Sequence, residues 1–249
     1  MSGSGASSSP AATEATRLAF ETFLDRGARG RDWPAWAALF TDDAVYTEHC
    51  MGRFVGRKAI EAWILSAMEP VACMTFSAEW FIVEGDMVAF WIWNHLPDPD
   101  PSAAARGERE FCFPNLTVLT HAGGLLWSAE EDIYESAWTA CVIDWFRAGG
   151  SAGMVPDPGL RPGRPTHPSP PAAGPDRAVV AALLAALAPA GATLRHDIVE
   201  GAVGVGVFDT DERAYAVIAH VDAGGTVVFS DVVANPQETI NRATPEVGV

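Results

Sequence analysis

Residues 149–175, GGSAGMVPDPGLRPGRPTHPSPPAAGP, constrain the fold of this chain more than any other stretch. Proline fixes its own φ and has no N–H to donate, so neither a helix nor a sheet runs through such a density of it. The segment reads as a semi-extended linker. It divides the chain into an N-terminal domain over 13–148 and a C-terminal one over 176–249. Residues 1–12, mostly Ser, Gly and Ala, are expected to be disordered. Of the 249 residues, 49% are apolar, enough for each part to bury a core of its own.

The N-terminal domain opens with a helix over Thr13–Arg26, where Leu18, Phe20, Phe23 and Leu24 fall near helical spacing. Asp32 precedes a second, short helix in WPAWAALF, with Pro34 in its first turn. A strand is expected at Ala44–Cys50, a turn from Gly52 to Gly56, and a third helix over Arg57–Met68, ended by Pro70. Four β-like segments follow: Cys73–Glu84, Met87–Leu96, Glu110–His121 and Leu125–Glu135. Gly85-Asp86 and Gly123-Gly124 are tight hairpin signals, the loop Pro97–Gly107 is long and acidic, and a short helix over Ala137–Arg147 closes the domain. Helices first and a long antiparallel sheet afterwards predict an α+β cone, with the helices packed on one face of a bent sheet and room for a ligand between them. Past the linker, an Ala/Leu helix over Asp176–Leu187 precedes four strands, Thr193–Val199, Ala202–Phe208, Ala214–Val221 and Thr226–Val232. This is a second, small α+β unit with few chemically active groups.

Charge removes several classes of function. The net charge is −16 and Lys58 is the only lysine, which argues against nucleic acid and against an anionic membrane surface. The first fifteen residues lack the basic start and apolar run of a secretory signal, and no stretch is long and apolar enough to span a bilayer. Cys50, Cys73, Cys112 and Cys141 are far apart and lie in apolar segments, as buried thiols of a cytoplasmic protein do.

The run WAALFTDDAVYTEHCMGRFVGRKAIEAWI (Trp36–Ile64) resembles the opening of SnoaL-like proteins, members of the nuclear transport factor 2-like superfamily. GDMVAFWIWNHL (Gly85–Leu96) and NLTVLTHAGGLLWSAEEDIY (Asn115–Tyr134) fit the same superfamily. The resemblance covers most of 13–148 and none of 176–249. It implies the cone fold, and a functional range of polyketide cyclases, isomerases, dehydratases, epoxide hydrolases and plain binding modules. The Arg-Asp-Asp relay of the limonene epoxide hydrolase branch falls on Ile92, Asn94 and Asp132, so it is broken here, while the last-strand Asp of the cyclases is matched by Asp132. Cones of this kind often pair through the outer sheet face, and Trp91 and Trp93 imply a homodimer buried there unless the second domain covers that face instead.

Asp132 is the first candidate for chemistry. Strand alternation puts it on one face with Glu130 and Tyr134, opposite Glu131, Ile133 and Glu135. Inside an apolar cone its pKa rises and it suits general acid/base work; the plain alternative is a solvated acidic edge. On the first strand, Tyr46 and Glu48 share a face and His49 points the other way, although a shift of one residue would exchange the faces. Tyr46 could polarise a carbonyl, Glu48 or His49 could carry a second proton, and His49 could equally be a structural histidine. Asn94 could hydrogen-bond a substrate oxygen or simply end a strand.

Gly149-Gly150-Ser151-Ala152-Gly153 matches a nucleophile elbow but lies in the linker, and Gly201, Gly204 and Gly206 are followed by no helix, so neither an activated Ser nor a dinucleotide site is expected. The six histidines are scattered and no cysteine pair has metal-ligand spacing. The expectation is a cofactor-independent acid/base enzyme of cyclase, isomerase or dehydratase type, acting on a small, largely apolar carbonyl or polyketide-like compound. The alternative is a non-catalytic module that binds a small molecule or a protein.

Overall fold

The computed structural model describes residues 9–100, 102, 111–134, 139–156 and 167–236. Most of the acidic loop Pro97–Gly107, the middle of the Pro-rich segment, residues 1–8 and residues 237–249 lie outside them. Helix α1 spans Pro10–Leu24, starting three residues before its expected position. Ser9 caps it, its Oγ accepting from the Ala12 N–H, and Pro10 fills the first turn where its missing N–H has no partner to lose. The expected disorder over 1–12 therefore extends too far. After a π-turn at Asp25–Arg29, α2 (Trp33–Ala37) is capped by the Asp32 carboxylate.

Strand β1 runs Phe40–Glu48 and β2 Gly52–Val55, so the expected turn at 52–56 is a strand paired to β1 with Tyr46 opposite Phe54. Helix α3 (Arg57–Met68) then crosses back, and β3 (Thr75–Glu84), β4 (Met87–Leu96), β5 (Phe111–Gly123) and β6 (Leu126–Ile133) form a meander. The sheet order is β2-β1-β6-β5-β4-β3. It is mixed rather than purely antiparallel, because β6 meets β1 in parallel, with Glu48 beside Asp132 and Tyr46 beside Glu130. Helix α4 (Thr139–Arg147) follows β6.

The two faces of this curved sheet are buried differently. On the inner face, Val88, Phe90, Ile92 and Leu119 pack with Phe20, Phe23, Trp36 and Ile60 of the helices. On the outer face, Ala89, Trp91, Trp93, Leu116 and Val118 pack against a second sheet made by the C-terminal part of the same chain. That sheet has the order β10-β9-β8-β7, with β7 at Thr193–Glu200, β8 at Val203–Asp209, β9 at Arg213–Val221 and β10 at Val227–Pro236. Its other face is covered by α5 (Arg177–Leu187) through Val180 and Leu184. A Cβ on Gly204 would stand 2.5 Å from Val180 Cγ1, so this glycine admits the helix onto the sheet rather than a dinucleotide onto the chain.

The molecule is thus layered helix, sheet, sheet, helix. The outer face expected to hold a second copy is already occupied, and Trp91 is only 1% exposed. A homodimer through that face has no surface left to use. The two sheets are also joined at their edges: Glu84 of β3 accepts from the Val199 N–H at 2.9 Å, and Glu200 of β7 accepts from the Val83 N–H at 2.8 Å. The described ends of the Pro-rich segment are packed rather than free. Buried His167 accepts from Trp80 Nε1 at 2.8 Å through Nδ1, and so donates from Nε2 toward Asp231.

Candidate functional site

The inner face of the sheet is apolar except for one diagonal band. Because side chains alternate along a strand, Tyr46 and Glu48 of β1, Glu130 and Asp132 of β6, Asn115 and Thr117 of β5, and Asn94 of β4 all turn toward the helices. Asp132 is the centre of the band. Its Oδ2 accepts from the Tyr46 hydroxyl, and its Oδ1 accepts from the Thr117 hydroxyl and from Asn115 Nδ2 at 3.1 Å. A carboxylate has about four acceptor sites, so one remains on Oδ2. Asn115 is itself held: it donates to Thr117 Oγ1 at 2.8 Å, and its Oδ1 accepts from Asn94 Nδ2 at 2.8 Å. Asn94 also donates to the Phe113 carbonyl at 3.1 Å.

Two expected donors are therefore committed. Both Asn94 amide hydrogens are used within the protein, and the Tyr46 hydroxyl points its proton at Asp132. Neither is free to bind a substrate oxygen; they orient the carboxylate instead. Asn115 and Thr117 did not stand out as candidates, yet the alternation Asn115, Leu116, Thr117, Val118 carried the signal. It places two polar groups on the face whose neighbours, Leu119 and Ile92, are buried.

Glu48 lies beside Asp132 on the adjacent parallel strand. It is 3% exposed, and neither of its carboxyl oxygens has a hydrogen-bond partner of good geometry. Burial raises its pKa to about 8, and the neighbouring Asp132 adds to the rise; the Tyr134 hydroxyl and the Cys50 and Met51 N–H groups, which face it, offset only part. Glu48 is consequently protonated at neutral pH. Glu130 is raised as well, by burial and then by Asp132, and its Oε2 has no partner. Burial also raises Asp132, but here the Thr117 and Tyr46 hydroxyls pull the other way by stabilising the anion. Tyr46 is pushed well above its ordinary range by burial and by Asp132. Among the described residues no cation is ion-paired with Glu48, Glu130 or Asp132.

His49 lies on the opposite side of β1. Its Nε2 donates to Glu131 Oε1 at 2.6 Å, and Glu131 also receives both terminal guanidinium nitrogens of Arg195, one at 2.8 Å. Burial pushes Glu131 upward, but the hydrogen bonds from His49 and Arg195 outweigh it and bring the carboxyl down to about 2. His49 thus belongs to the contact between the sheets, not to the band around Asp132, because alternation turns it away from Glu48.

Aromatic rings surround the band. Trp63 of α3 lies over Tyr46 with ring centroids 4.4 Å apart and stacks on Phe54 at 4.8 Å. Its ring is partly exposed while its indole N–H is buried without a partner. Asp132 likewise keeps part of its surface accessible, although protein groups enclose it on the strand, the neighbouring strands and the Tyr46 side. A separate surface groove of about 880 Å³ lies between α3 and the Gly30–Trp33 turn and does not touch the carboxyls. Trp33, which lines the groove, has its ring 5.6 Å from Phe76, the cross-strand partner of Asn94.

Residues 20–129 match the model of the SnoaL-like domain family. Among solved structures, similarity is found to a Mycobacterium tuberculosis protein in complex with estradiol-17beta-hemisuccinate, at 15% identity and a TM-score of 0.39, covering 50% of this chain and 96% of that one. A ketosteroid isomerase-like protein from Catenulispora acidiphila matches at 20% identity and 0.40, covering 54% and 95%. A putative polyketide cyclase from Xanthomonas campestris pv. campestris matches at 17% identity and 0.40, covering 53% and 98%. No curated protein matches the chain.

Proposed function

We propose that the SnoaL-like domain carried by this chain is a cofactor-independent acid/base catalyst acting on a small, flat, uncharged and largely apolar carbonyl compound. The observation that carries this reading is the pairing of Glu48 with Asp132. Two carboxyls lie side by side: Asp132 accepts from three donors that favour its anion, while Glu48, raised to about 8, has no hydrogen bond of good geometry on either oxygen. Burial raises both carboxyls, but only Asp132 has donors that stabilise its anion, and such a difference between neighbours suits them to be the base and the acid of a proton-transfer site. Asp132, through the open acceptor site on Oδ2, removes a proton from the carbon next to the carbonyl. Glu48 gives its proton to the carbonyl oxygen, and an enol forms. Return of the proton at another carbon gives an isomer; loss of a leaving group from the next carbon, or attack of the enol on a second carbonyl, gives a dehydratase or a cyclase. Tyr46, Thr117, Asn115 and Asn94 hold Asp132 in place, and the Trp63 indole N–H, without a partner on the ring beside Tyr46, is a donor for a second substrate oxygen. Three carboxyls with no paired cation disfavour an anionic substrate. Free thiols at all four cysteines support a reducing, cytoplasmic setting.

The test is hydrogen exchange. In deuterated water the protein should exchange the α-hydrogens of apolar cyclic ketones, followed by NMR, and Asp132→Asn should slow this by about a hundred- to ten-thousand-fold with binding retained. The rate should also fall above pH about 8 as Glu48 loses its proton. Equal exchange by the wild type and Asp132→Asn would leave the domain as a binding module.

A further inference from the structure

We infer that the C-terminal sheet is a working part of the site, and that Asn235 of β10 is the residue through which it positions Glu48 against Asp132. This rests on the acid/base reading above for its catalytic meaning. The parallel ladder that sets Glu48 beside Asp132 is at its last rung there. The next bond, from the His49 N–H to the Asp132 carbonyl, is stretched to 3.4 Å. Beyond it, the ends of β1 and β6 are tied by one side chain from the other sheet. Asn235 Oδ1 accepts from the Tyr134 N–H at 2.5 Å, and its Nδ2 donates to Cys50 Sγ at 3.3 Å. The backbone N–H fixes which way the amide faces, since only the oxygen accepts. Tyr134 is two residues past Asp132 and Cys50 two residues past Glu48, so Asn235 supplies the rung that the ladder itself lacks.

The setting suits a positioning role. Asn235 is fully buried, and β10 holds it through pairing with Ala214 of β9. The Tyr134 hydroxyl faces the Glu48 carboxyl and Tyr134 is itself pushed well above its ordinary range by burial and then by Glu48, so moving the Tyr134 backbone moves a group that Glu48 feels directly. On the same side, Arg195 grips Glu131, the residue before Asp132, so the second sheet holds β6 on both sides of the base. A buried polar side chain left with one unmet partner destabilises the fold. An amide that satisfies two strand ends at once avoids that loss.

The experiment reads the site without a substrate. The full chain is titrated by infrared difference spectroscopy, following the C=O stretch of protonated buried carboxyls, with Glu48→Gln used to assign the Glu48 band. In the wild type the band should disappear near pH 8. In Asn235→Ala the two strand ends part, water reaches Glu48, and the midpoint should fall by at least one pH unit. Asn235→Asp keeps an acceptor for the Tyr134 N–H and should fall less. Val180→Ala, which loosens α5 on the far side of the second sheet, should lower the melting temperature and leave the Glu48 midpoint unchanged. An unchanged midpoint in both Asn235 variants, or a shift in Val180→Ala as large as in Asn235→Ala, would overturn the inference. If Asp132→Asn fails to slow exchange while Asn235→Ala still moves the Glu48 midpoint, the catalytic reading falls and the positioning of Glu48 stands.

Discussion

Glu130 and Glu131 are consecutive in the chain and opposite in condition. Glu131 faces the second sheet, where Arg195 and His49 hold it ionised down to about pH 2; Glu130 faces the helices, has an oxygen with no partner, and is pushed well above the ordinary carboxyl range by burial. The same contrast runs across the whole cone sheet. Its outer side neutralises the charges it buries, and its inner side keeps carboxyls without a counter-ion. A fold that only needed to be stable would treat both sides as it treats the outer one, since a buried charge without a partner is among the costlier features a protein can carry. On the acid/base reading proposed above, the inner face gives up stability to keep proton carriers in reach of a ligand.

That contrast can be broken in several ways. The largest effect should come from removing the second sheet. A chain ending at residue 156 uncovers Trp91, Trp93, Leu116 and Val118 together, an apolar patch that soluble monomers do not leave open. Light scattering should show self-association or precipitation of the fragment and a monomer for the full chain; a soluble, monomeric fragment would mean the second sheet is dispensable. Next, Arg195→Met leaves Glu131 with only His49. Loss of one partner of a buried pair destabilises by about 3–5 kcal/mol, and the lower end applies because a third of the Arg195 side chain is exposed. Chemical denaturation at pH 7 measures this, and a change under about 1 kcal/mol would show that the outer ion pairs are idle.

On the inner face the sign reverses. Glu48 binds its proton more tightly when folded, with a pKa of about 8, than when unfolded. Stability therefore falls as pH rises between the two values, and the full penalty is present above pH 8. Glu48→Gln should melt higher than the wild type at pH 9, by on the order of 2 kcal/mol after allowing for relaxation, and match it at pH 5. A loss of stability at pH 9 would mean the carboxyl is better satisfied than its geometry indicates. The smallest effect sharpens the contrast at its exception, His220, which lies at the sheet–sheet contact with neither ring nitrogen bonded. Burial and then His167 lower its pKa to about 4. A depressed histidine contributes nothing to pH dependence above about 6.5, and stability is lost as pH falls from there toward 4. His220→Phe should remove about 1 kcal/mol of that acid loss at pH 5, read from melting curves at pH 5 and 7.

Much of this was legible in the sequence. That Tyr46 and Glu48 share a face opposite His49, and that Glu130 and Asp132 share a face, follows from the two-residue period, and the hairpins at Gly85 and Gly123 follow from their glycines; that both faces turn inward needs the β1–β6 register. The strand at Gly52–Val55 was not legible, because four residues between glycines are a turn until β1 pairs with them. The commitment of the Tyr46 and Asn94 hydrogens was hidden too, since it depends on the register of β4, β5 and β6 rather than on any one strand. The covering of Trp91 by the second sheet needs contacts more than a hundred residues apart. Its only local sign was that β8 and β9 are apolar on both sides, as strands buried between two layers are.

The segment from Gly149 to Pro175 has a consequence for how this protein responds to dilution. When an apolar face is covered by a second molecule, the fraction covered follows mass action and falls as the protein becomes scarce. Here the cover is tethered, and a short tether corresponds to an effective concentration in about the millimolar range whatever the amount of protein present. Within that segment, His167 is anchored to Trp80. The outer face, and the Asn235 and Arg195 contacts that reach through it, should remain in place at a few copies per cell as fully as at high expression.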